Sequence, residues 1–253
     1  MFSRPTWPHP VITAQSLTSL DNLSGGRLIA GLGSGWTQRE FDMTGIPFPE
    51  IGTRLRMLDE SLACVRSLWT QETTTLEGEF YQLRDAILWP KPVHKPHPPI
   101  LLGGGGKGLL RIAARHADIV NIIVETGGPG YISLSHIARL TDERFRQRIR
   151  FVRDEAARAG RDPQAIQFSN VIFTTVLTDS PEATKSAAEG MAPMFNTTPD
   201  ALRQSPLTLV GTPAECIAEL RRRQREWELS QVIFSFPGDE AMRRLAEEVL
   251  PHV

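Results

Sequence analysis

The sequence predicts an α/β fold in which helices cover a parallel sheet. Two observations lead to this prediction: short, continuous apolar runs recur along the chain, and helical patterns alternate with them. A continuous apolar run is typical of a strand buried on both faces, as strands of parallel sheets are. Five such runs fit either an open doubly wound sheet or part of an eight-stranded barrel, and periodicity does not decide between them.

The first part of the chain supplies two predicted helices and the first strand. A helix is predicted over residues 11–23, because apolar positions recur at helical spacing and Pro10 suits a first turn. Residues 28–32 form the first apolar run, which we expect to be a strand buried on both faces. A second helix is predicted over residues 54–69, where leucines and a valine form one stripe.

The pattern changes at residues 70–98, which we interpret as an insertion. Short strands are predicted at residues 77–81 and 87–89, and the prolines that follow make the return stiff. Another buried strand is then predicted at residues 99–102, and it ends in the run Gly103–Gly106.

The second half of the chain continues the alternation. Further strands are predicted at residues 117–124, 166–176 and 232–236. Helices are predicted from residue 109, over residues 141–159, from Ser180, from Thr212 and over residues 239–250. Residues 127–135 are predicted to be a loop, and residues 191–207 a second, irregular insertion.

Composition excludes several classes of function. The chain has 253 residues and a formal net charge of −1, so no overall field favours nucleic acid or a membrane surface. No apolar run approaches membrane-spanning length and the N-terminus lacks a signal-peptide core, so we expect a cytoplasmic protein. Cys64 and Cys216 fall in amphipathic helical segments, which predicts core positions. The cluster Arg221–Arg223 is interpreted as a solvated helix face.

A glycine-rich segment follows the first predicted strand. Gly33, Ser34 and Gly35 let backbone N–H groups approach a ligand closely, and the flat ring of Trp36 comes next. The carboxyl end of a buried parallel strand is a common place for a cofactor site in α/β folds. The segment therefore predicts cofactor contacts, and a tight turn with Trp36 as packing is the alternative.

The run Gly103–Gly106 is the strongest chemical signal in the sequence. A glycine loop that opens a helix presents backbone N–H groups and the positive end of the helix dipole, which suit a phosphate. Four consecutive glycines are costly in chain entropy, which disfavours the alternative of a purely structural turn.

Three further side chains are candidates for a substrate pocket. His9 precedes a proline, Glu40 lies four residues beyond Trp36, and Asn121 lies near the carboxyl end of a predicted strand. His9 is alternatively a structural or solvated histidine, and Glu40 an exposed helical residue. The sequence contains no H-E-x-x-H, C-x-x-C or G-x-S-x-G motif, so no metal site is predicted and the catalytic residue stays unidentified.

Several motifs, taken in order, resemble the luciferase-like monooxygenase superfamily. They are His9-Pro10, LDNLSGGRL from Leu20, GLGSGW from Gly31, Pro98-Pro99-Ile100 with the glycine run, AARHAD from Ala113, and LVGTPAE from Leu209. Together these motifs cover nearly the whole chain. They look most similar to the branch of probable coenzyme F-420-dependent oxidoreductases, which bind a 5-deazaflavin.

This resemblance implies an eight-stranded (β/α) barrel of the TIM-barrel type, with the cofactor at the carboxyl ends of the strands. It implies that Gly33, Ser34 and Gly35 line the deazaflavin ring and that Gly103–Gly106 bind the cofactor phosphate. The phosphate does not discriminate between coenzyme F-420 and FMN, because both carry one near the ribityl chain.

The resemblance also implies that Trp36 and Glu40 shape the pocket. In the sugar-phosphate dehydrogenase branch of the family, a glutamate that acts as an acid stands at the position of Trp36. That branch's substrate and acid role therefore do not carry over to this chain.

The resemblance further predicts that the barrel is incomplete. In the family three strand–helix units precede the segment matching His9, so we expect about five parallel strands, the family's fourth to eighth, with outer helices. Residues 1–253 are then a single luciferase-like domain with insertions at residues 70–98 and 191–207. A full-length form is expected to be a homodimer that acts on a small-molecule substrate.

The expected function is hydride transfer between coenzyme F-420 and a small organic substrate, once the missing N-terminal part is supplied. Two alternatives stay open. One is an FMN-dependent monooxygenase on the same scaffold, and the other is a truncated, catalytically silent fragment.

Overall fold

The computed structural model, which describes residues 9–125, 134–235 and 237–253, has the predicted α/β fold. The α-helices are α1 (Pro10–Ser24), α2 (Gln38–Thr44), α3 (Ile51–Thr70), α4 (Lys107–His116), α5 (Leu134–Ala138), α6 (Asp142–Arg158), α7 (Pro181–Met191), α8 (Pro199–Gln204), α9 (Pro213–Trp227) and α10 (Asp239–Arg244). The strands are β1 (Ala30–Leu32), β2 (Thr74–Glu77), β3 (Gln82–Ala86), β4 (Ile100–Gly104), β5 (Ile119–Ile122), β6 (Gln167–Ile172), β7 (Thr174–Leu177), β8 (Thr208–Gly211) and β9 (Leu229–Phe234). Short 3₁₀ segments lie at Pro163–Ala165, Ala192–Phe195 and Leu250–His252, and a π-helical turn lies at Leu245–Val249.

Five strands form one parallel sheet in the order β1-β4-β5-β6-β9, which confirms the predicted architecture. β1 pairs with β4 from Ala30 opposite Ile100 onward, and β6 pairs with β9 up to Ile172 opposite Phe234. β7 and β8 form a separate two-stranded parallel sheet, and β2 and β3 form an antiparallel hairpin.

The chain divides into two compact units. The first contains the described residues up to Gly103 together with Lys107–Ile119. The second contains Gly104–Gly106 and the described part of Val120–Val253. Each unit is described separately below.

Two expectations from composition can be compared with the structure. Cys64 and Cys216 are both buried, as predicted, and burial raises the pKa of their thiols to about 11 and about 12 respectively. None of the described helices is both long and apolar enough to cross a membrane.

In the first unit, α1 packs against α3, as the apolar spacing of both helices predicts. The Trp69 side chain on α3 is buried, and its Nε1 donates to the Ala14 carbonyl at 3.2 Å and to the Thr18 hydroxyl at 3.0 Å. A buried indole needs such an acceptor for its N–H. Both helices lie within three residues of their predicted bounds.

A charged cluster joins α3 to α4. Asp59 Oδ1 accepts a hydrogen bond from Arg115 Nη2 at 2.8 Å and lies 2.9 Å from His116 Nε2. The hydrogen bond with His116, together with Arg115 beside it, lowers the pKa of Asp59 below its ordinary value, although partial burial opposes this effect.

Residues 70–98, predicted to be an insertion, contain a hairpin whose strands differ from the predicted ones. β2 ends at Glu77 and β3 begins at Gln82, so residues 78–81 lie between the two strands, and residues 87–89 form no strand. The Glu60 carboxylate on α3 accepts the backbone N–H groups of Phe80 and Tyr81, with the shortest distances 3.0 and 2.5 Å. These N–H groups therefore bond to a side chain rather than to a neighbouring strand.

The first strand is shorter and less buried than the apolar run predicts. β1 covers only Ala30–Leu32, and Ile29 is 42% exposed. Pairing with β4 begins at Ala30, so Ile29 precedes the part of the sheet that the neighbouring strand flanks. The prediction of burial on both faces is therefore wrong for the start of the run.

The single strand predicted at residues 166–176 is two strands in different sheets. β6 ends at Ile172, whose carbonyl accepts from Ser235 N at 2.9 Å. Phe173 N then donates to Leu207 O at 2.9 Å, and β7 pairs with the unpredicted strand β8. The prediction is wrong because the partner changes within one continuous apolar run.

The stretch 191–207 is more regular than predicted. It contains a 3₁₀ segment and α8, whose N-cap Thr198 accepts from a backbone N–H in the first turn. Most of the predicted loop at residues 127–135 lies outside the described residues, and α5 begins at its end. Phe236, the predicted end of the last strand, also lies outside them.

A fully buried guanidinium organises part of the second unit. Arg223 on α9 donates to the carbonyl oxygens of Ser205, Pro206 and Thr208 at 3.2, 2.9 and 2.7 Å. Its Nε lies 2.8 Å from Glu219 Oε1. A buried charge is tolerated when it is paired and hydrogen-bonded in this way. The interpretation of Arg221–Arg223 as a solvated face is therefore wrong for Arg223.

The first prediction concerns this guanidinium. Arg223→Ala removes a buried guanidinium that donates to three carbonyl oxygens and pairs with Glu219, and we expect the free energy of unfolding to fall by about 3 kcal/mol. Arg221→Ala, at an exposed position of the same helix, is the control and should cost less than about 0.5 kcal/mol. Urea denaturation of both variants checks this prediction, and equal losses would contradict it.

The second prediction concerns Asp59. A carboxyl group whose pKa is lowered by folding stabilises the protein above its unfolded pKa, and that stabilisation is lost as the pH falls through the folded pKa. We therefore expect wild type to lose more free energy of unfolding than Asp59→Asn between about pH 6 and about pH 3. Urea denaturation at each pH measures the difference. The exposed Asp154→Asn is the control and should follow wild type.

Candidate functional site

The first unit carries the glycine-rich segment that follows β1. Gly33, Ser34 and Gly35 are half-buried, and Gly35 has a φ of +76°, in the region that favours glycine. A Cβ added at Gly33 would meet no described atom within 4 Å. Trp36 is 45% exposed, so its ring is not packed into a core. The segment is a strand-to-helix turn that leaves a flat aromatic surface accessible.

Thr37, which sequence reasoning missed, adds an unsatisfied polar atom to this turn. Thr37 is the N-cap of α2, yet its side chain makes no capping hydrogen bond. Its buried Oγ1 has no hydrogen-bond partner among the described residues. A buried hydroxyl without a partner costs about 1–3 kcal/mol, so a polar ligand group here would be favourable. A threonine before a helical pattern was the available signal.

His9 and Glu40 also belong to the first unit. His9 is exposed, its Nδ1 accepts from Val11 N at 3.3 Å, and its ring lies edge-on to Tyr81 with centroids 5.3 Å apart. Glu40 is half-buried in the first turn of α2. The structural role kept open for His9 is therefore present, and the pocket roles of both residues stay predictions.

The glycine run is not a single loop. Gly103 and Gly104 belong to β4, and Gly104 O accepts from Ile123 N at 3.3 Å in the second unit. None of the four glycines has a positive φ. α4 begins at Lys107, directly after the run and two residues before the predicted start.

Gly105 and Gly106 differ in what a side chain would meet. A Cβ at Gly105 would lie 2.4 Å from Ile123 O and 2.7 Å from Glu125 N, which is closer than a real Cβ comes to either atom. A Cβ at Gly106 would meet no described atom within 4 Å. The fold therefore requires glycine at position 105, whereas Gly106 borders space that the described residues leave open.

Asn121 lies in β5 in the second unit and is buried. Its Nδ2 donates to Ser169 Oγ at 2.8 Å, and Ser169 is fully buried on β6. The neighbouring strand therefore orients this amide. Sequence reasoning missed Ser169, for which a hydroxyl within an apolar run was the signal. The pocket role of Asn121 stays a prediction.

Arg148 is the residue that sequence reasoning missed most completely. It lies on α6, and its side chain is only 17% exposed. Its Nη1 donates to Ile123 O at 2.9 Å, and its Nη2 lies 3.3 Å from Glu125 Oε1. One arginine among the many charged residues of α6 gives no distinctive sequence signal. The structure places a largely buried cation at the strand end that Gly105 contacts.

The fold and these turns together define the class of protein. A parallel sheet with glycine-rich segments at the carboxyl ends of β1 and β4 is typical of ligand-binding α/β proteins. The family model described as luciferase-like monooxygenase matches residues 1–227. The chain therefore belongs to the luciferase-like monooxygenase family, and the predicted resemblance is confirmed.

Two curated relatives are named for different cofactors. The FMNH2-dependent dimethylsulfone monooxygenase of Pseudomonas putida is 35% identical over 109 residues, which cover 43% of this chain and 30% of that protein. An F-420-dependent glucose-6-phosphate dehydrogenase of Kineococcus radiotolerans is 36% identical over 110 residues, which cover 44% of this chain and 32% of that protein. The matched stretch thus spans about a third of each relative's length.

A solved structure supports the architecture over nearly the whole chain. The coenzyme F-420-dependent tetrahydromethanopterin reductase from Methanopyrus kandleri superposes with a TM-score of 0.73 at 19% identity, covering 99% of this chain and 81% of that chain. At this identity the similarity shows the fold alone. It confirms the predicted luciferase-like barrel type, whereas the domain and insertion bounds stay predictions.

The third prediction separates the two glycines by their surroundings. Gly105→Ala forces a Cβ against backbone atoms, so we expect a loss of about 1–3 kcal/mol or more in the free energy of unfolding. Gly106→Ala is the matched control and should be neutral or slightly stabilising, because its Cβ meets open space. Thermal denaturation measures both, and similar losses would show that the close approach at Gly105 is wrong.

Proposed function

We propose that this protein is an oxidoreductase that transfers a hydride between coenzyme F-420 and a small organic substrate. Family membership supports the oxidoreductase class, and the F-420-dependent relative supports the cofactor. The observation that carries the proposal is the open space at Gly106, after a buried parallel strand and before α4. A phosphate-bearing cofactor needs such room beside backbone N–H groups.

In this proposal the run Gly103–Gly106 holds the cofactor phosphate, and its glycines have different roles. Gly103 and Gly104 continue β4 and fix where the turn begins. Gly105 lets the backbone after β5 approach the turn. The backbone N–H of Gly106 then binds the phosphate, in the open space beside that residue.

Gly33, Ser34, Gly35 and Trp36 are the proposed contacts of the deazaflavin ring. The half-exposed indole of Trp36 offers a flat apolar face, and the unsatisfied Thr37 Oγ1 can hydrogen-bond to a polar edge of the ring. The cofactor supplies the hydride chemistry when it is bound. The protein's own part is orientation and electrostatics.

His9, Glu40 and Asn121 are the proposed lining of the substrate pocket. Asn121 cannot change its charge, so its role is to orient the substrate by hydrogen bonding. Trp36 cannot deliver a proton either, and no catalytic acid is assigned. A homodimer and a cytoplasmic location stay predictions.

The second candidate function is an FMN-dependent monooxygenase. The dimethylsulfone monooxygenase is as similar to this chain as the F-420-dependent relative, at 35% against 36% identity. The glycine run serves the phosphate of either cofactor equally well. A direct comparison of the two cofactors therefore decides between the candidates.

The fourth prediction is that the protein binds coenzyme F-420 at least about tenfold more tightly than FMN, a difference of about 1.4 kcal/mol. Fluorescence titration of each cofactor measures the two affinities. Equal or tighter binding of FMN would favour the monooxygenase. Binding of neither cofactor would overturn both candidates.

Two variants test the assigned ends of the cofactor. Gly106→Asp places a carboxylate where the phosphate binds, so it should abolish binding of both cofactors, whereas Gly106→Ala should weaken binding far less. Trp36→Ala should weaken both FMN and phosphate-free riboflavin, because it removes a ring contact. Unchanged binding in Gly106→Asp would remove the glycine run from the site.

A further inference from the structure

Arg148 is the least exposed arginine of α6: its side chain is 17% exposed, against 21% for Arg153 and 33% for Arg146. Its position adjoins the apolar face of α6 that includes Phe145 and Ile149. A guanidinium in such surroundings loses much of its hydration, which burial makes unfavourable unless anions compensate.

The compensation among the described residues is weak. Among the described residues, the carboxylate that pairs with the Arg148 guanidinium is that of Glu125, 3.3 Å away and itself 62% exposed. Burial accordingly lowers the pKa of Arg148 below its ordinary value, and Glu125 only partly offsets this effect. A cation in this state attracts a further anion more strongly than a solvated arginine does.

The Arg148 guanidinium and Gly105 both lie close to the carbonyl oxygen of Ile123. Ile123 O accepts from Arg148 Nη1 at 2.9 Å, and the same oxygen lies 2.4 Å from where a Gly105 Cβ would be. Arg148 is therefore hydrogen-bonded to the backbone segment after β5 that comes close to Gly105. All of these atoms belong to the second unit.

We infer that Arg148 is the cation of the phosphate site at Gly105–Gly106. In the absence of a phosphate its guanidinium pairs with the Glu125 carboxylate, and a bound phosphate replaces that carboxylate. A guanidinium has five N–H donors, and the hydrogen bonds of Arg148 to Ile123 O and to the Glu125 carboxylate leave capacity for a phosphate oxygen. The ligand group is a phosphate ester of a flavin-type cofactor, so the inference rests on the proposed function.

Arg148 and Glu125 should have opposite effects on the affinity for FMN. Arg148→Gln removes the attraction, so we expect FMN to bind at least about tenfold more weakly. Glu125→Gln removes the competing carboxylate, so FMN should bind about threefold more tightly. If Arg148 only supported the loop through Ile123 and Glu125, loss of Glu125 would weaken binding or leave it unchanged.

The experiment compares FMN with riboflavin, which lacks the phosphate, by fluorescence titration of wild type and both variants. Riboflavin affinity should change less than about twofold in either variant, because no phosphate is present. The FMN affinity of wild type should also fall more steeply with added potassium chloride than that of Arg148→Gln. Arg150→Gln, at an exposed position of the same helix, is the matched control and should behave as wild type.

The outcomes distinguish failure of this inference from failure of the proposed function. Binding of FMN by wild type with unchanged affinity in Arg148→Gln overturns the inference and leaves the proposed function standing. Binding of neither FMN nor coenzyme F-420 by wild type overturns both. Arg148→Lys, which keeps the charge, separates folding from charge: it should retain more FMN affinity than Arg148→Gln at equal melting temperature, and equal losses in both variants overturn the inference.

Discussion

The close approach of the backbone after β5 to Gly105 is the constraint on which the candidate phosphate site depends. Only a residue without a Cβ allows Ile123 O and Glu125 N to come so near. The approach also fixes where Ile123 O lies, and this oxygen is the acceptor for Arg148. The absence of a Cβ at Gly105 thereby determines how closely the end of β5 approaches the glycine run and where the Arg148 guanidinium finds its acceptor, all within the second unit.

Because of this constraint, glycine is present at the four positions of the run Gly103–Gly106 for different structural reasons. In the sequence they look like one phosphate loop, yet two of them are strand residues and Gly105 is a packing requirement. Gly106, in contrast to Gly105, combines open space with an ordinary backbone conformation. The entropy cost of four consecutive glycines is thus distributed over strand continuity at Gly103 and Gly104, backbone contact at Gly105 and open space at Gly106.

The sequence was sufficient where the determinants are local. The stripe of α3 and the Thr212 capping box each lie within a few residues, and the helices formed where they indicate. It was insufficient where distant backbone decides. The switch from β6 to β7 depends on Phe173 N bonding to Leu207 O, which no pattern within residues 166–176 reveals. The family motifs supplied the barrel type, which periodicity had left open beside a doubly wound sheet.

The candidate site shows the same division. The glycines and Trp36 are visible in the sequence because their residue types are unusual at a strand end. Thr37 and Arg148 are ordinary residue types, and only an unsatisfied hydroxyl in one case and burial in the other set them apart. Arg223 was misread for the same reason, since a run of arginines looks solvated until the carbonyl oxygens of another loop close around one of them.

The distribution of charge gives Arg148 its significance. With a net charge of −1, the chain as a whole does not attract an anionic cofactor, so any attraction must be local. Pairs such as Arg150 with Glu143, each more than half exposed, are screened by water and salt and contribute little. At Arg148 low hydration strengthens every remaining interaction, and its carboxylate partner Glu125 is 62% exposed. A nearly neutral protein can bind a phosphate selectively when one of its cations is buried beside a turn with room for the ligand.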